Sequence, residues 1–161
     1  MAAMLSVITS AGEASGELAG LLSDLVPAAV TGLVRDVLVL EPPAEDPDLL
    51  ALCEAAGARR IRGGLGVAAR EARSDLILLA IPRLRLDAFA LDRLGRELAA
   101  AGGLARGLAL TTPAPPGLGF LSPPLGLVTP RSRLVALPAG ISPQAAISRA
   151  SRGSPRLRVA G

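Results

Sequence analysis

Residues Leu76 to Ile81 read Leu-Ile-Leu-Leu-Ala-Ile without a polar break, and Pro82 closes the run. A run this short, apolar at every position, is a strand covered on both faces, because a half-exposed strand would alternate. A strand covered on both faces needs helices above and below its sheet. The sequence supplies them. Leu18, Leu21, Leu22 and Leu25 recur at i, i+3, i+4 and i+7 after the apolar stretch Leu5–Thr9, with Ser15 as the expected N-cap. Val34–Glu41 is a second strand, followed by an acidic, proline-rich turn. Asp46, Pro47 and Gly57 then mark the cap, first turn and stop of a second helix.

A short third strand is expected at Ala58–Ile61, a small helix after the glycine-rich turn at Gly63, and a helix from Asp87 to Gly102–Gly103. Gly107–Thr112 is expected to be a fifth strand. Strands alternating with helices predict an α/β fold with a mostly parallel sheet flanked by helices, in one domain. Beyond Thr112 the periodicity fades. The reading divides the chain into an α/β unit over 1–112, an irregular Pro/Gly-rich segment over 113–140 and a basic, flexible tail over 141–161. Within these last parts Gly126–Pro130 and Arg133–Leu137 are candidate strands. Thr112–Pro130, with its prolines, is expected to lie as an uncharged flap over a sheet edge or against a membrane.

Composition removes several kinds of chemistry. The chain has no His, so Ser-His-Asp triads and His-bearing zinc sites are excluded. Cys53 is the single cysteine, which rules out an internal disulfide and points to a buried thiol without a base to activate it. Neither a secretory leader nor a membrane-spanning run is read, and the expectation is a cytoplasmic chain, with peripheral membrane contact as a further role. All 14 acids lie in residues 1–97, whereas residues 98–161 hold seven of the 17 arginines. Such a basic end suits an anionic partner or membrane surface, with a solvated tail as the plain alternative. With no aromatic platform beside the arginines, nucleic acid is not an expected partner.

The order of these pieces resembles the nucleotide-binding half of family 2 glycosyltransferases, the GT-A fold. The segments that carry the likeness are "VRDVLVLEPPAED", "AAGARRIRGG" and "VAAREARSDLILLAIPR". The resemblance implies a nucleoside diphosphate or nucleotide-sugar ligand, between the ends of the first, second and fourth strands. Its implied contacts are Ser10, Glu13, Glu41, Arg62, Gly63 and Arg83. Glu41 stands where the family holds the base or ribose, and Asp46 matches a later acid of that turn, though a helix cap explains it as well.

Arg83 falls where the family has its metal-binding aspartate. A guanidinium cannot ligate a cation but can grip a diphosphate. The resulting expectation is a site with no divalent metal and no other cofactor. Arg83 and Arg85 replace the metal's charge, mark a site that has lost catalysis, or are ordinary surface residues. The family's acceptor-side base is also missing, since Ile141 stands where its aspartate would fall and no acid follows Glu97. Three functions are therefore weighed: a catalytically degenerate glycosyltransferase-like protein, a non-enzymatic nucleotide-binding or scaffold subunit, and a metal-independent transferase. No catalytic residue is assigned.

Overall fold

The structure, a computed structural model, describes residues 4–13, 15–100, 107–113 and 122–159. Its first half follows the expected alternation: β1 (Leu5–Ser10), α1 (Ser15–Val30), β2 (Val34–Leu40), α2 (Pro47–Ala56), β3 (Arg59–Ile61), α3 (Leu65–Glu71), β4 (Leu76–Ala80) and α4 (Ala88–Ala100). After these come β5 (Leu108–Thr111), β6 (Pro124–Pro130), α5 (Arg131–Val135), α6 (Pro143–Ala150) and β7 (Arg156–Arg158). The strands form one sheet in the order β3-β2-β1-β4-β6-β5-β7. β3, β2, β1 and β4 are mutually parallel; β6 runs antiparallel to both β4 and β5, and β7 is parallel to β5.

The caps follow from local chemistry. The Asp46 carboxylate accepts from the Asp48 and Leu49 N–H groups at 3.0 and 3.2 Å, and Pro47 occupies the first turn. Gly57 ends α2 at φ 67°, a left-handed conformation that glycine adopts without a Cβ clash. Asp87 accepts from the Ala90 N–H at 2.7 Å at the start of α4. The expected end of that helix, Gly102–Gly103, lies outside the described residues. α1 starts at Ser15, the residue expected to precede it.

Leu21 and Leu25 of α1, Leu38 of β2 and Ile77, Leu78 and Leu79 of β4 belong to one continuous apolar cluster. Leu18 and Leu22 of the same helix join Val39, Leu49 and Cys53 in a second cluster. Burial pushes the Cys53 thiol up, above its ordinary range. A thiol raised on folding adds stability that is full below the unfolded-state value, about 8.5, and is lost as pH climbs through the folded one. Accordingly, native protein should react slowly with a thiol reagent at neutral pH, and its melting temperature should drop on the alkaline side of about pH 9. Rapid stoichiometric labelling of native protein would contradict the buried placement.

Three expectations from the sequence need correction. Thr112–Pro130 is not an uncharged flap along its whole length. Its latter part is β6, inserted between β4 and β5, with Leu125 through Thr129 buried. The absence of charge there reflects burial within the sheet, and Pro124 and Pro130 sit at the strand's two ends. The flap expected over residues 114–121 lies outside the described residues.

Arg133–Leu137, a candidate strand, falls in and just after helix α5, which starts where Pro130 ends β6. The basic end is likewise built into the fold. Ser142 caps α6 by accepting from the Ala145 N–H at 3.2 Å, α6 buries Ala146 and Ile147, and β7 joins β5 along the sheet edge. Among the described residues, no helix is long and apolar enough to cross a membrane.

Candidate functional site

A parallel strand delivers whatever follows its carboxyl end to one edge of the sheet, where the ligand crevices of open α/β folds lie. Among the described residues, cavities open at this edge on either side of β1. One, of about 540 Å³, is bounded by the ends of β1 and β4 and by the start of α6. It is lined by Ser10, Gly12, Glu13, Glu17, Ile81, Pro82, Arg83, Ser142, Pro143 and Gln144. The other, of about 380 Å³, lies beyond β2, where Glu41, Pro42, Pro43 and Asp46 face Arg60, Arg62 and Gly63.

The six residues expected to share one site are thus divided. Ser10, Glu13 and Arg83 line the larger cavity, and Glu41, Arg62 and Gly63 line the smaller. Topology explains the split. β3 lies outboard of β2, so Arg62 and Gly63 stay on Glu41's side, whereas β4 carries Arg83 to the other side of β1.

Glu41 is already engaged. Its Oε1 lies 3.1 Å from Arg60 Nη1, and its Oε2 accepts from Arg62 Nε at 2.5 Å. That bond and the Glu41 charge hold the Arg62 guanidinium above its already high range. With one arginine on each oxygen, the Glu41 carboxylate is largely neutralised yet keeps lone pairs for a further donor, and Arg60 and Arg62 border the cavity beside it. Gly63 lets the chain turn sharply into α3. Its φ is 103°, and a Cβ there would come 2.9 Å from Val67 Cγ2.

Arg83 and Arg85, two residues apart, have different tasks. Arg85 grips Asp24 of α1 in a two-toothed pair, Nε to Oδ2 at 2.8 Å and Nη2 to Oδ1 at 3.0 Å. The Leu86 N–H donates to the same Oδ2 at 3.0 Å. Gly20 makes room for this clamp, since a Cβ there would lie 2.1 Å from Arg85 Nη1. Arg85 therefore fastens the loop after β4 to α1. Arg83, held on that loop, is exposed in the larger cavity and has no ion-pair partner among the described residues.

The sequence did not single out Glu17, Ser142 or Gln144. Glu17 is the first-turn acid of α1. Ser142-Pro143 is a cap signal, but it stood in a region read as tail. Among the described residues, no cluster of three or more His, Cys, Asp or Glu side chains is placed to hold a metal ion.

No protein-family model and no curated protein matches this chain. Solved structures do. Glucosyl-3-phosphoglycerate synthase from Mycobacterium tuberculosis in complex with UDP superposes with a TM-score of 0.70 at 16% identity, over 97% of this chain and 70% of that one. The same enzyme in complex with Mn²⁺, UDP and glucosyl-3-phosphoglycerate gives 0.72 at 16% identity, over 98% and 70%. A further structure, described as a mycobacterial protein, gives 0.67 at 19% identity, over 90% of this chain and 59% of that chain. The fold is GT-A.

These structures overturn the expectation of a metal-free site. The fold's nucleotide complexes include Mn²⁺ together with UDP, in one case with phosphoglyceric acid as well. Arg83 in the place of a ligand was the ground for excluding an ion, and it is insufficient. Two carboxylates, Glu13 and Glu17, line the same cavity. Small divalent ions are commonly held by one or two carboxylates, with substrate phosphates and water completing the shell.

Proposed function

We propose that this chain is a GT-A glycosyltransferase-like protein that binds a nucleoside diphosphate or its sugar conjugate in the cavity between β1, β4 and α6. The observation that carries this reading is Arg83. It is an exposed guanidinium without a partner among the described residues, set at the carboxyl edge of a GT-A sheet beside two carboxylates and the capped start of a helix. A guanidinium offers paired donors to phosphate oxygens, and Glu13 and Glu17 are the carboxylates of this cavity that would hold a divalent ion. When bound, the ion would neutralise charge on the diphosphate leaving group. Ser10, in the same cavity, offers a hydroxyl to the ligand.

Transfer to an acceptor is the weaker half of this reading. No acid follows Glu97, so a carboxylate base from residues 98–161 is not available to deprotonate an acceptor hydroxyl. Binding is therefore the property to measure first, and the reading has sugar transfer impaired.

Titration calorimetry with UDP, in Mn²⁺ and in EDTA, tests the proposal. Binding should be stronger with Mn²⁺. Arg83→Gln should weaken it by about tenfold, the loss expected for one charge-assisted contact. Glu17→Gln should reduce the Mn²⁺ enhancement. If unaltered protein binds neither UDP nor UDP-glucose under either condition, a scaffold without a nucleotide site is the better description.

A further inference from the structure

The opposite edge of the sheet has a different chemistry. There, in sheet order, stand Arg59 of β3, Arg35 of β2, Met4 before β1, Arg73 before β4, Arg131 after β6 and Arg156 of β7. β6 is antiparallel, so the residue after its end reaches the same edge as the residues that begin the others. Hydrogen bonds confirm that the row is continuous around the α3–β4 turn. Arg59 Nη2 meets Glu71 Oε2 at 3.1 Å, Arg131 Nη1 donates to the Ala72 carbonyl at 3.0 Å, and Arg35 Nη1 reaches the Arg73 carbonyl at 3.4 Å. Arg133 follows on α5, and Arg152 precedes β7.

Three acids of this edge are matched, while Glu54 and Glu97, in the last turns of α2 and α4, stand exposed there without an ion pair among the described residues and are outnumbered by the arginines. Asp36 is buried against Arg59, Glu71 pairs with Arg59, and Asp75 pairs with Arg131 at 2.7 Å. Arg73, Arg133 and Arg152 are exposed, and their side chains have no partner among the described residues. The acids that remain unpaired on the carboxyl edge, such as Glu13, Glu17 and Glu45, are far from this row. The molecule is therefore polarised, basic at its base and acid-rich around its cavities.

Apolar side chains stand exposed at the base as well. Val30 is 82% exposed, Met4 44% and Val135 37%. Val135 lines a shallow cavity of about 400 Å³ with Asp75, Arg131 and Ser132. Arginines interspersed with exposed aliphatic side chains suit the boundary between lipid headgroups and acyl chains. Nucleic acid would use aromatic stacking on such a face, and no aromatic residue among the described residues belongs to it.

From this placement we infer that the amino-terminal edge of the sheet docks on an anionic phospholipid bilayer, with the candidate nucleotide cavity turned away toward water. The inference does not depend on the nucleotide reading, because the two surfaces lie at opposite ends of the strands.

Vesicle co-sedimentation of the full chain tests it, using phosphatidylcholine alone and phosphatidylcholine mixed equally with phosphatidylglycerol. The chain should pellet with the mixed vesicles only and be released by high salt. Each of Arg73→Gln, Arg133→Gln and Arg152→Gln should weaken partitioning about fivefold, and the three together about 100-fold. Arg83→Gln, at the other edge, should leave it unchanged, and saturating UDP should not displace the chain. The inference is overturned if unaltered protein ignores the mixed vesicles, if the triple variant pellets as well as unaltered protein, or if UDP strips it from lipid. It is equally overturned if the chain binds a single-stranded oligonucleotide and not the vesicles.

Discussion

Asp36→Ala is expected to destabilise the fold by about 2–4 kcal/mol, a fall of roughly 5–15 °C in melting temperature for a chain of this size. Asp36 is 9% exposed, at the base of β2. One of its oxygens accepts the Ser6 hydroxyl of β1; the other accepts the Arg73 N–H at 3.3 Å and lies 3.4 Å from Arg59 Nη1. Ser6 Oγ in turn accepts the Ser74 N–H at 3.0 Å. One carboxylate thus joins β1, β2, β3 and the turn into β4. Its removal strands a buried hydroxyl and a backbone N–H, each costing about 1–3 kcal/mol when left without a partner. The Arg59 side chain is 38% exposed, so water recovers much of its share and the cost stays below that of a fully buried ion pair. Asp36→Asn keeps one acceptor and should lose about half as much. Urea denaturation measures both. A loss under about 1 kcal/mol for the alanine variant would mean that water replaces the network. UDP affinity of the folded variant should be unaltered, because the network lies at the edge away from the cavities.

The parallel half of the fold was legible because its signals are local. Apolar runs, helical spacing and the Asp46-Pro47 and Gly57 boundaries each declare themselves within a few residues. β6 was not legible, since nothing local separates an uncharged, proline-bounded strand from an uncharged loop. Its identity rests on long-range pairing, in which Val128 faces Leu78 on one side and Leu108 on the other. The same holds for β7, whose short, arginine-flanked Leu157 makes sense only as an edge strand blunted by charge.

The candidate site was legible as a set of chain positions at strand ends, but not as a geometry. Arg83 and Arg85 look alike in sequence. What distinguishes them is Asp24, which sits 61 residues before Arg85 and claims it. For Glu41 the sequence places an acid at a strand end, and only the fold sets Arg60 and Arg62 on its two oxygens. The metal expectation failed for a related reason. Reading one ligand position from a motif says nothing about carboxylates that a helix brings to the same cavity from elsewhere, as α1 brings Glu17.

Gly126→Val should be nearly as costly as losing Asp36, about 2–3 kcal/mol, and should also weaken nucleotide binding. Gly126 lies within β6, opposite Ala80, where β4 ends and the Arg83 loop begins. A Cβ at this position would come 3.1 Å from Leu84 Cδ2, 3.3 Å from Leu110 Cδ1 and 3.4 Å from Leu78 Cδ1. Alanine would force its neighbours to give by a few tenths of an ångström. Valine adds two methyl groups to a space already closed by three leucines, and strand propensity, worth at most about 1 kcal/mol, does not offset that overpacking. Leu84 has the most room to move, because it belongs to the loop and not to the sheet. It is fully buried and its N–H donates to the Ile81 carbonyl at 3.0 Å, so displacing it shifts the backbone next to Arg83. Denaturation and UDP titration of the same protein separate this effect from Asp36→Ala, which should lower stability alone. If Gly126→Val keeps the stability and UDP affinity of unaltered protein, Leu84 is not the link between the sheet interior and the cavity.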